Sequence, residues 1–348
     1  MLPLIEAAGF MTILDSSVDP SVDTFDVSIV IVSFNTRAVL RECLESVERE
    51  SAGLRVEVLV VDNHSSDASP EMIEREFPQV RLFRSDVNLG FASANNIALQ
   101  AVRGRYPVLL NSDAFLRSGA LTLAVQHMDE NPSVGLAGAR LVGRDDAWQP
   151  SARMFPSLLA DFLVMTGLAA KFPRSRFFGS FDRTWADPLI PAETDWVPGA
   201  FSIIRPDALR KAGLFDPDFF LYSEEVDLCL RIRDAGYKIW YWPDIVVTHI
   251  GGESSRQVKS LDMSITGAQL VRWSIRSTLL YYRKHHGSAA WRAKMLRIAL
   301  CRLVVLRNSF TRDLRRRARA AEYRKHIELI KQAWEDTHGG RVSPPRPW

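Results

Sequence analysis

The chain is poor in cysteine. Its 348 residues include three, Cys43, Cys229 and Cys301. They are odd in number, far apart and without a CxxC pair, which excludes a disulfide framework or a zinc site and points to a reducing compartment. Long hydrophobic runs are missing too. No stretch of about 20 apolar residues occurs, so no spanning helix is expected. The nearest candidate, residues 158–170, is short, carries Asp161 and reads as a buried or interfacial helix. The opening segment MLPLIEAAGFMTILDSS has no basic leader and contains Glu6, which argues against a signal peptide. Charge of one sign is scarce: the net charge is +3, so nucleic acid is not an expected partner. The glycine-bearing segment from Asn88 to Asn96 has neither the Gly-Lys-Ser/Thr ending of a phosphate loop nor the GxGxxG pattern. ATP-type and dinucleotide-type sites therefore lack their usual sequence support.

What is present is a regular alternation. Residues 1–26 read as a loosely ordered extension. Strands are then expected at 27–33, 56–62, 80–84, 106–111 and 134–141, with helices at 36–49, 69–76, 92–103 and 118–130 between them. The strands are β-branched apolar runs such as VSIVIVS and VEVLVVD, and the helices show apolar residues at helical spacing. Thr36 is placed to cap the first helix. Such alternation predicts an α/β fold with a doubly wound, mostly parallel sheet and helices on both faces. Ligands on such sheets sit at the carboxyl ends of the strands. Three successive ends carry polar side chains: Ser33 with Asn35, Asp62 with Asn63, and Asn111 with Asp113. Beyond residue 142 the alternation weakens. Long loops with one helix are expected over 143–195, then a strand at 196–205, helices at 206–212 and 224–235, and strands at 238–242 and 245–250. Only helical patterns and a Pro-rich tail follow.

Four groups of residues could carry chemistry. Asp113, after the apolar strand YPVLLN, offers a hard oxygen ligand suited to Mg²⁺ or Mn²⁺ beside a diphosphate; Asn-Ser-Asp is also a good turn. Glu224, Glu225 and Asp227 crowd the start of a helix. They serve either as partners of the helix dipole, with Ser223 as cap, or as a general base whose pKa is raised by like charge. His249, followed by Gly251 and Gly252, leaves room for a phosphate or metal. Gly90 permits a tight loop before a helix whose N-terminus can face an anion.

In order along the chain, VSIVIVSFN, VLVVDNHSSD, NLGFASANN, LLNSD, WVPGAF, FLYSEEVDLCLR and the terminal TH-GG resemble glycosyltransferase family 2, of the GT-A fold. The resemblance covers roughly residues 27–255, taken as the catalytic domain, and is strongest to bacterial rhamnosyltransferase-like members. It implies an inverting, metal-dependent enzyme of cell-envelope polysaccharide synthesis. Its donor would be a dTDP- or UDP-sugar and its acceptor a hydroxyl of a glycan or polyprenyl-linked carrier. Ser33, Phe34 and Asn35 would line the nucleotide pocket, and Asp62 would bond the base or ribose. Asn88, Gly90, Phe91 and Asn95 would border the donor, and Asn111 would touch its ribose or sugar. Asp113 and His249 would hold the divalent metal. Trp196, Pro198, Gly199 and Ala200 would lie on the acceptor side. Glu225 would be the base, with Glu224 and Asp227 as supporting acids. Two positions depart from the family pattern: Ser112 stands where Pro is commoner, and Glu225 where Asp is.

Residues 256–348 read as a basic helical region. Trp291, Met295, Ile298 and Val305 recur at helical spacing, interleaved with Arg292, Lys294, Arg297, Arg302 and Arg307 and followed by Arg315, Arg316 and Arg317. Such helices either pack on the core with a solvated basic face or lie on an anionic membrane surface at the cytoplasmic leaflet. Two other functions fit a similar sheet. A nucleotidyltransferase would need a Gly-rich basic loop after the first strand, where SFNTR stands instead. A non-catalytic nucleotide-sugar-binding module would need neither Asp113 nor Glu225.

Overall fold

Burial follows the apolar runs. A computed structural model of the chain describes residues 25–251 and 268–344. The expected extension over residues 1–24, Gly252, the boundary near residue 256 and the last four residues of the tail lie outside the described residues. The first half contains β1 (Val27–Ser33), α1 (Arg37–Glu50), β2 (Val56–Asp62), α2 (Ser69–Glu76), β3 (Arg81–Arg84), α3 (Gly90–Leu99) and β4 (Tyr106–Leu110). Then come β5 (Ala114–Leu116), α4 (Ala120–Glu130), β6 (Val134–Val142), β7 (Trp148–Gln149), α5 (Leu158–Met165), α6 (Leu168–Lys171), β8 (Ala192–Thr194) and β9 (Phe201–Ile204). The chain continues through α7 (Pro206–Ala212), α8 (Glu224–Asp234) and β10 (Lys238–His249) to three long helices, α9 (Ala268–His286), α10 (Ala289–Ser309) and α11 (Leu314–Asp336).

The strands form one sheet in the order β3-β2-β1-β4-β9-β6-β10-β5, with β7 on β6 and β8 on β10. The pairs β1–β2, β2–β3, β1–β4 and β6–β10 are parallel. The strand order reverses between β1 and β4, so their carboxyl ends frame the crevice where such sheets bind ligands. The alternation did not anticipate the antiparallel members: β9 runs between β4 and β6, and β5 runs against β10. β5 is three residues long and follows a turn directly, too short for a periodicity to show. The two strands expected at 238–242 and 245–250 are one, with a register shift between Trp242 and Val246. Pro243 lies within that shift, where the missing N–H costs no ladder bond.

Thr36 does not cap α1 with its side chain. Its place is taken by Asp67, whose Oδ2 accepts the Arg37 N–H at 2.8 Å. Gly236 follows α8 with φ +91°, as expected of a helix-ending glycine. The candidate helix over 158–170 is two short helices with Leu159, Phe162 and Val164 exposed.

Two apolar cores flank the sheet. Ile29, Ile31, Leu40 and Phe201 belong to one. The other joins Val30, Leu109 and Ile232 to Leu280, Tyr281 and Tyr282 of α9 and Ala290 and Ala293 of α10. Each fully buried Val, Leu or Ile contributes about 1.5–3 kcal/mol, so the long helices share the sheet's own core. Asp336 on α11 clamps α9 by accepting from Arg272 and Arg276, each Nη2 at 2.6 Å. Among the described residues no helix is long and apolar enough to cross a membrane.

Candidate active site

The ends of β1, β2 and β4 are tied together by their own polar side chains. Ser33 and Asp62 are register partners. The Ser33 and Thr36 hydroxyls lie 3.0 Å apart, and Thr36 Oγ1 donates to Ser112 Oγ at 3.1 Å. Ser112 thus joins the β4 end to the β1 loop, a bond that a proline there could not make. Asn35 is left-handed (φ 53°), and its Oδ1 accepts the Ser66 N–H at 2.7 Å. Asn63 Nδ2 donates to Asn88 Oδ1 at 3.0 Å, and Asn88 Oδ1 also accepts the Gly90 N–H at 2.9 Å. Asn95 Nδ2 donates to the Phe91 carbonyl one turn back. Among the expected donor contacts, Asn35, Asn88 and Asn95 therefore hold loops and a helix start in shape, while Phe34 is half-buried beside them.

Asp62 differs. Its Oδ2 accepts the Ser65 N–H at 3.1 Å, while its Oδ1 is buried without a hydrogen-bond partner. Burial raises the carboxyl's pKa, against the pull of Ser65. A buried acceptor left open is rare in native chains and marks a place for a donor from elsewhere.

Gly90 has φ +79°, and a Cβ there would meet the Phe220 carbonyl oxygen at 2.2 Å. The absent side chain lets the Phe91 N–H donate to that oxygen at 2.8 Å, which docks the start of α3 on the loop before α8. Phe91 packs its ring edgewise on Phe215 with centroids 6.1 Å apart.

Asp113 and His249 meet because β5 pairs with β10. His249 is the register partner of Ala114, and the Asp113 carbonyl accepts the Ile250 N–H at 3.1 Å. His249 Nε2 lies 3.5 Å from Asp113 Oδ1. Gln149, which the sequence reading missed, fixes the ring: its Nε2 donates to the His249 carbonyl at 2.8 Å, and its Oε1 faces His249 Nδ1 at 3.1 Å. Since that oxygen only accepts, Nδ1 carries a proton and Nε2 is left to face the carboxylate. A carboxylate oxygen 3.5 Å from an imidazole Nε2, with the far ring nitrogen held by an acceptor, fits a divalent cation. Asn111 closes the turn before Asp113. Its carbonyl accepts the Ala114 N–H, and its own N–H donates to Ala200 at 3.2 Å.

Tyr222 and Ser223 enter α8 with φ 71° and 67°, two successive left-handed residues that are not glycine. Ser223 makes no side-chain cap bond. The turn sets Glu225 against Gly199, whose N–H donates to Oε1 at 3.2 Å. A Cβ on Gly199 would come within 3.0 Å of the same oxygen. Burial raises the Glu225 pKa, while its own N–H, the Gly199 N–H and Arg153 pull the other way. Glu224 is buried with Oε2 unpartnered, and burial first and Glu225 second push it well above the ordinary range. Asp227, expected as a supporting acid, is instead a fully buried anchor. Arg231 Nε at 2.8 Å, Lys284 Nζ at 2.7 Å and His285 Nε2 at 2.7 Å surround it. Burial would raise its pKa, but these partners overcome that and hold it at about 2.

One cavity of about 410 Å³ is lined by both Glu225 and His249, with Gln149, Trp196 and Pro198. Trp196 is fixed there by its Nε1–H, which donates to the Met154 carbonyl at 3.0 Å. Arg153, Tyr281 and Arg297 also line it. Arg153 and Tyr281 lie in no local motif, and Arg297 was grouped with a solvated or membrane-facing basic face.

The model of glycosyl transferase family 2 matches residues 28–188. The chain is 26% identical over 287 residues to the N-acetylglucosaminyl-diphospho-decaprenol L-rhamnosyltransferase of Mycobacterium tuberculosis, covering 77% of this chain and 89% of that one. It is 26% identical over 269 residues to the rhamnosyltransferase WbbL of Escherichia coli, covering 73% and 92%. Among solved structures, a mannosyltransferase from Pyrobaculum calidifontis in complex with GDP-Man and Mn²⁺ superposes with a TM-score of 0.54 at 16% identity, covering 89% of this chain and 85% of that one. The family match ends before Glu225 and His249, so the standing of those two rests on geometry. The chain carries a glycosyl transferase family 2 domain on a GT-A fold, and rhamnosyltransferases are among its relatives.

Proposed function

We propose that the protein is an inverting, metal-dependent transferase that moves a sugar from a nucleoside-diphosphate donor to a hydroxyl of a glycan or polyprenyl-linked acceptor. The observation that carries this is the shared cavity: Glu225, whose pKa burial raises, lines the same space as His249, whose Nε2 lies 3.5 Å from Asp113 Oδ1. The acceptor hydroxyl attacks the anomeric carbon opposite the diphosphate. The new C–O bond forms as the bond to phosphate breaks, and Glu225 takes the hydroxyl proton. A divalent ion, Mg²⁺ or Mn²⁺, would neutralise the departing diphosphate. Asp113 and His249 would hold it. Among the described residues no group of three or more His, Cys, Asp or Glu is arranged for a metal, so donor oxygens would complete its shell. Asp62, with its open Oδ1, would bond the base or ribose. Two of the relatives are rhamnosyltransferases, which supports a dTDP- or UDP-linked deoxysugar donor, a polyprenyl-linked acceptor and a place in cell-envelope polysaccharide synthesis.

Glu225→Gln tests the base. Turnover falls by about 10²–10⁴-fold, while donor binding with Mn²⁺, read by calorimetry, stays near wild type. Near-normal turnover would remove Glu225 from the role.

We also propose that the chain works at the cytoplasmic face of the membrane. Leu303, Leu306 and Phe310 are 62%, 61% and 87% exposed beside Arg302 and Arg307, a pairing that suits anionic lipid. Of the apolar residues expected on that helix, α10, Trp291 and Met295 are exposed, while Ile298 is buried and Val305 half-buried, so the exposed face coincides with the expected one only in part. Leu303→Glu with Leu306→Glu should abolish sedimentation with phosphatidylglycerol vesicles. Undiminished sedimentation would defeat the idea.

A further inference from the structure

We propose that Arg297, Arg153 and Tyr281 form a second anion-binding pole in the cavity, which takes the phosphate of a phosphate-linked acceptor. This rests on the transferase reading and adds to it the residues that would hold the acceptor's phosphate. Arg297 comes from α10 and its side chain is only 17% exposed. Its Nη2 lies 3.3 Å from Asp161 Oδ2, while its Nε is buried with no hydrogen-bond partner. The Tyr281 hydroxyl, from α9, is also buried without a partner. Both side chains line the cavity that holds Glu225 and His249. Each buried donor left unmet costs about 1–3 kcal/mol, and more when charged. Both residues line one cavity, so an oxyanion bound against them would satisfy the two donors together.

Arg153 is the third member. It pairs with Asp182 at 3.2 Å, stacks over Trp196 at 5.1 Å, and is near enough to Glu225 to lower its pKa. Asp161 also lines the cavity, touching Arg297 through one nitrogen and accepting from the Tyr282 hydroxyl at 3.3 Å. It holds the guanidinium through Nη2 and leaves Nε without a partner. Planar guanidinium forks match phosphate oxygens. The donor's diphosphate belongs to the Asp113–His249 pair, so a separate cationic pole in the same space fits a second anion.

The test uses the full chain, Arg297→Gln and Arg297→Lys, and two acceptors. One is N-acetylglucosaminyl diphosphate on a short isoprenoid; the other is the same sugar as an octyl glycoside. In Arg297→Gln the ratio of the two KM values, diphosphate over glycoside, rises by about tenfold or more, and Arg297→Lys restores part of it. An unchanged ratio, whether both KM values hold or both rise, overturns the proposal. A rise in donor KM with either acceptor would assign Arg297 to the donor and overturn it as well. Phosphatidylglycerol vesicles that compete with the diphosphate acceptor in wild type but not in Arg297→Gln would assign the pole to lipid headgroups instead. If the wild type transfers from no nucleotide sugar to either acceptor, the transferase reading itself has failed.

Discussion

At the carboxyl ends of β1, β2 and β4, polar side chains are mostly bonded to one another. Ser33, Thr36 and Ser112 form one chain of hydroxyls, and Asn63 and Asn88 form a locked pair. Around α8 and the long helices, Glu224 Oε2, Tyr281 Oη and Arg297 Nε have no partner. The strand-end half is a scaffold with one open atom, Asp62 Oδ1. Both halves hold non-glycine residues at positive φ, Asn35 in the first and Tyr222 and Ser223 in the second, so what sets the α8 half apart is its buried, unpartnered groups. Mutations should therefore act mainly on stability in the first half and mainly on chemistry in the second.

The largest stability effect is expected at the seam between the halves. In Gly90→Ala a Cβ would sit 2.2 Å from a backbone oxygen, at a φ of +79° that alanine resists. Neither partner is a flexible side-chain tip, so the α3–α8 contact must open. A loss of about 3 kcal/mol or more is expected from clash and strain together, read from the urea midpoint. A loss below about 1 kcal/mol would mean the seam is loose and the two halves are not rigidly coupled.

Asp227 gives the next largest effect and separates stability from chemistry inside α8. Its pKa falls from 3.8 to about 2, and at 1.36 kcal/mol per unit that is worth about 2 kcal/mol. The folded value is depressed, so this stability is present above pH 4 or so and is lost as pH falls toward 2. Acid unfolding of Asp227→Asn should be shallower over that window by about the same amount. An unchanged acid transition would show that the ion cluster does not tie α8 to α9.

Much of the scaffold half was legible in sequence, because β-branched runs and helical spacing report burial directly. Strand ends β1, β2 and β4 fell within a residue of expectation; Asp113 lies beside His249, and His249 lines one cavity with Glu225. The uses of individual side chains were less legible. Asn35, Asn88 and Asn95 read as donor contacts but bond their own loops, since an amide's partner depends on tertiary placement. Asp227 sits in the same acidic run as Glu225, yet a helix turns residues two apart to different faces, and it meets α9 instead of the cavity. Gln149, Arg153 and Arg297 were invisible as site residues because they reach the cavity from a two-residue strand, a loop and a distant helix. No local pattern records such convergence.

The smallest effect is expected at Glu224, and it bears most directly on how the α8 half divides its labour. Both glutamates are pushed upward by burial, but Glu225 has the Gly199 N–H and Arg153 to favour its charge, and Glu224 has the Glu225 charge against it. Glu224 is therefore pushed further toward its protonated form than Glu225, which suits the proposed role of Glu225 as the proton acceptor. Glutamine copies a protonated glutamate in shape and charge, so Glu224→Gln should retain turnover within about threefold, under about 0.7 kcal/mol. The acid limb of the rate profile should also stay in place, because it reports Glu225. Stability gives an independent reading with a definite sign. A carboxyl with a raised folded pKa favours the native state while protonated and loses that advantage as pH rises through its folded value. Wild type should thus lose stability relative to Glu224→Gln on the alkaline side, where Glu224 is driven to ionise, and match it below. A Glu224→Gln variant whose turnover collapses, or whose acid limb moves by a full unit, would show that the two carboxyls share one proton and that the base is the pair.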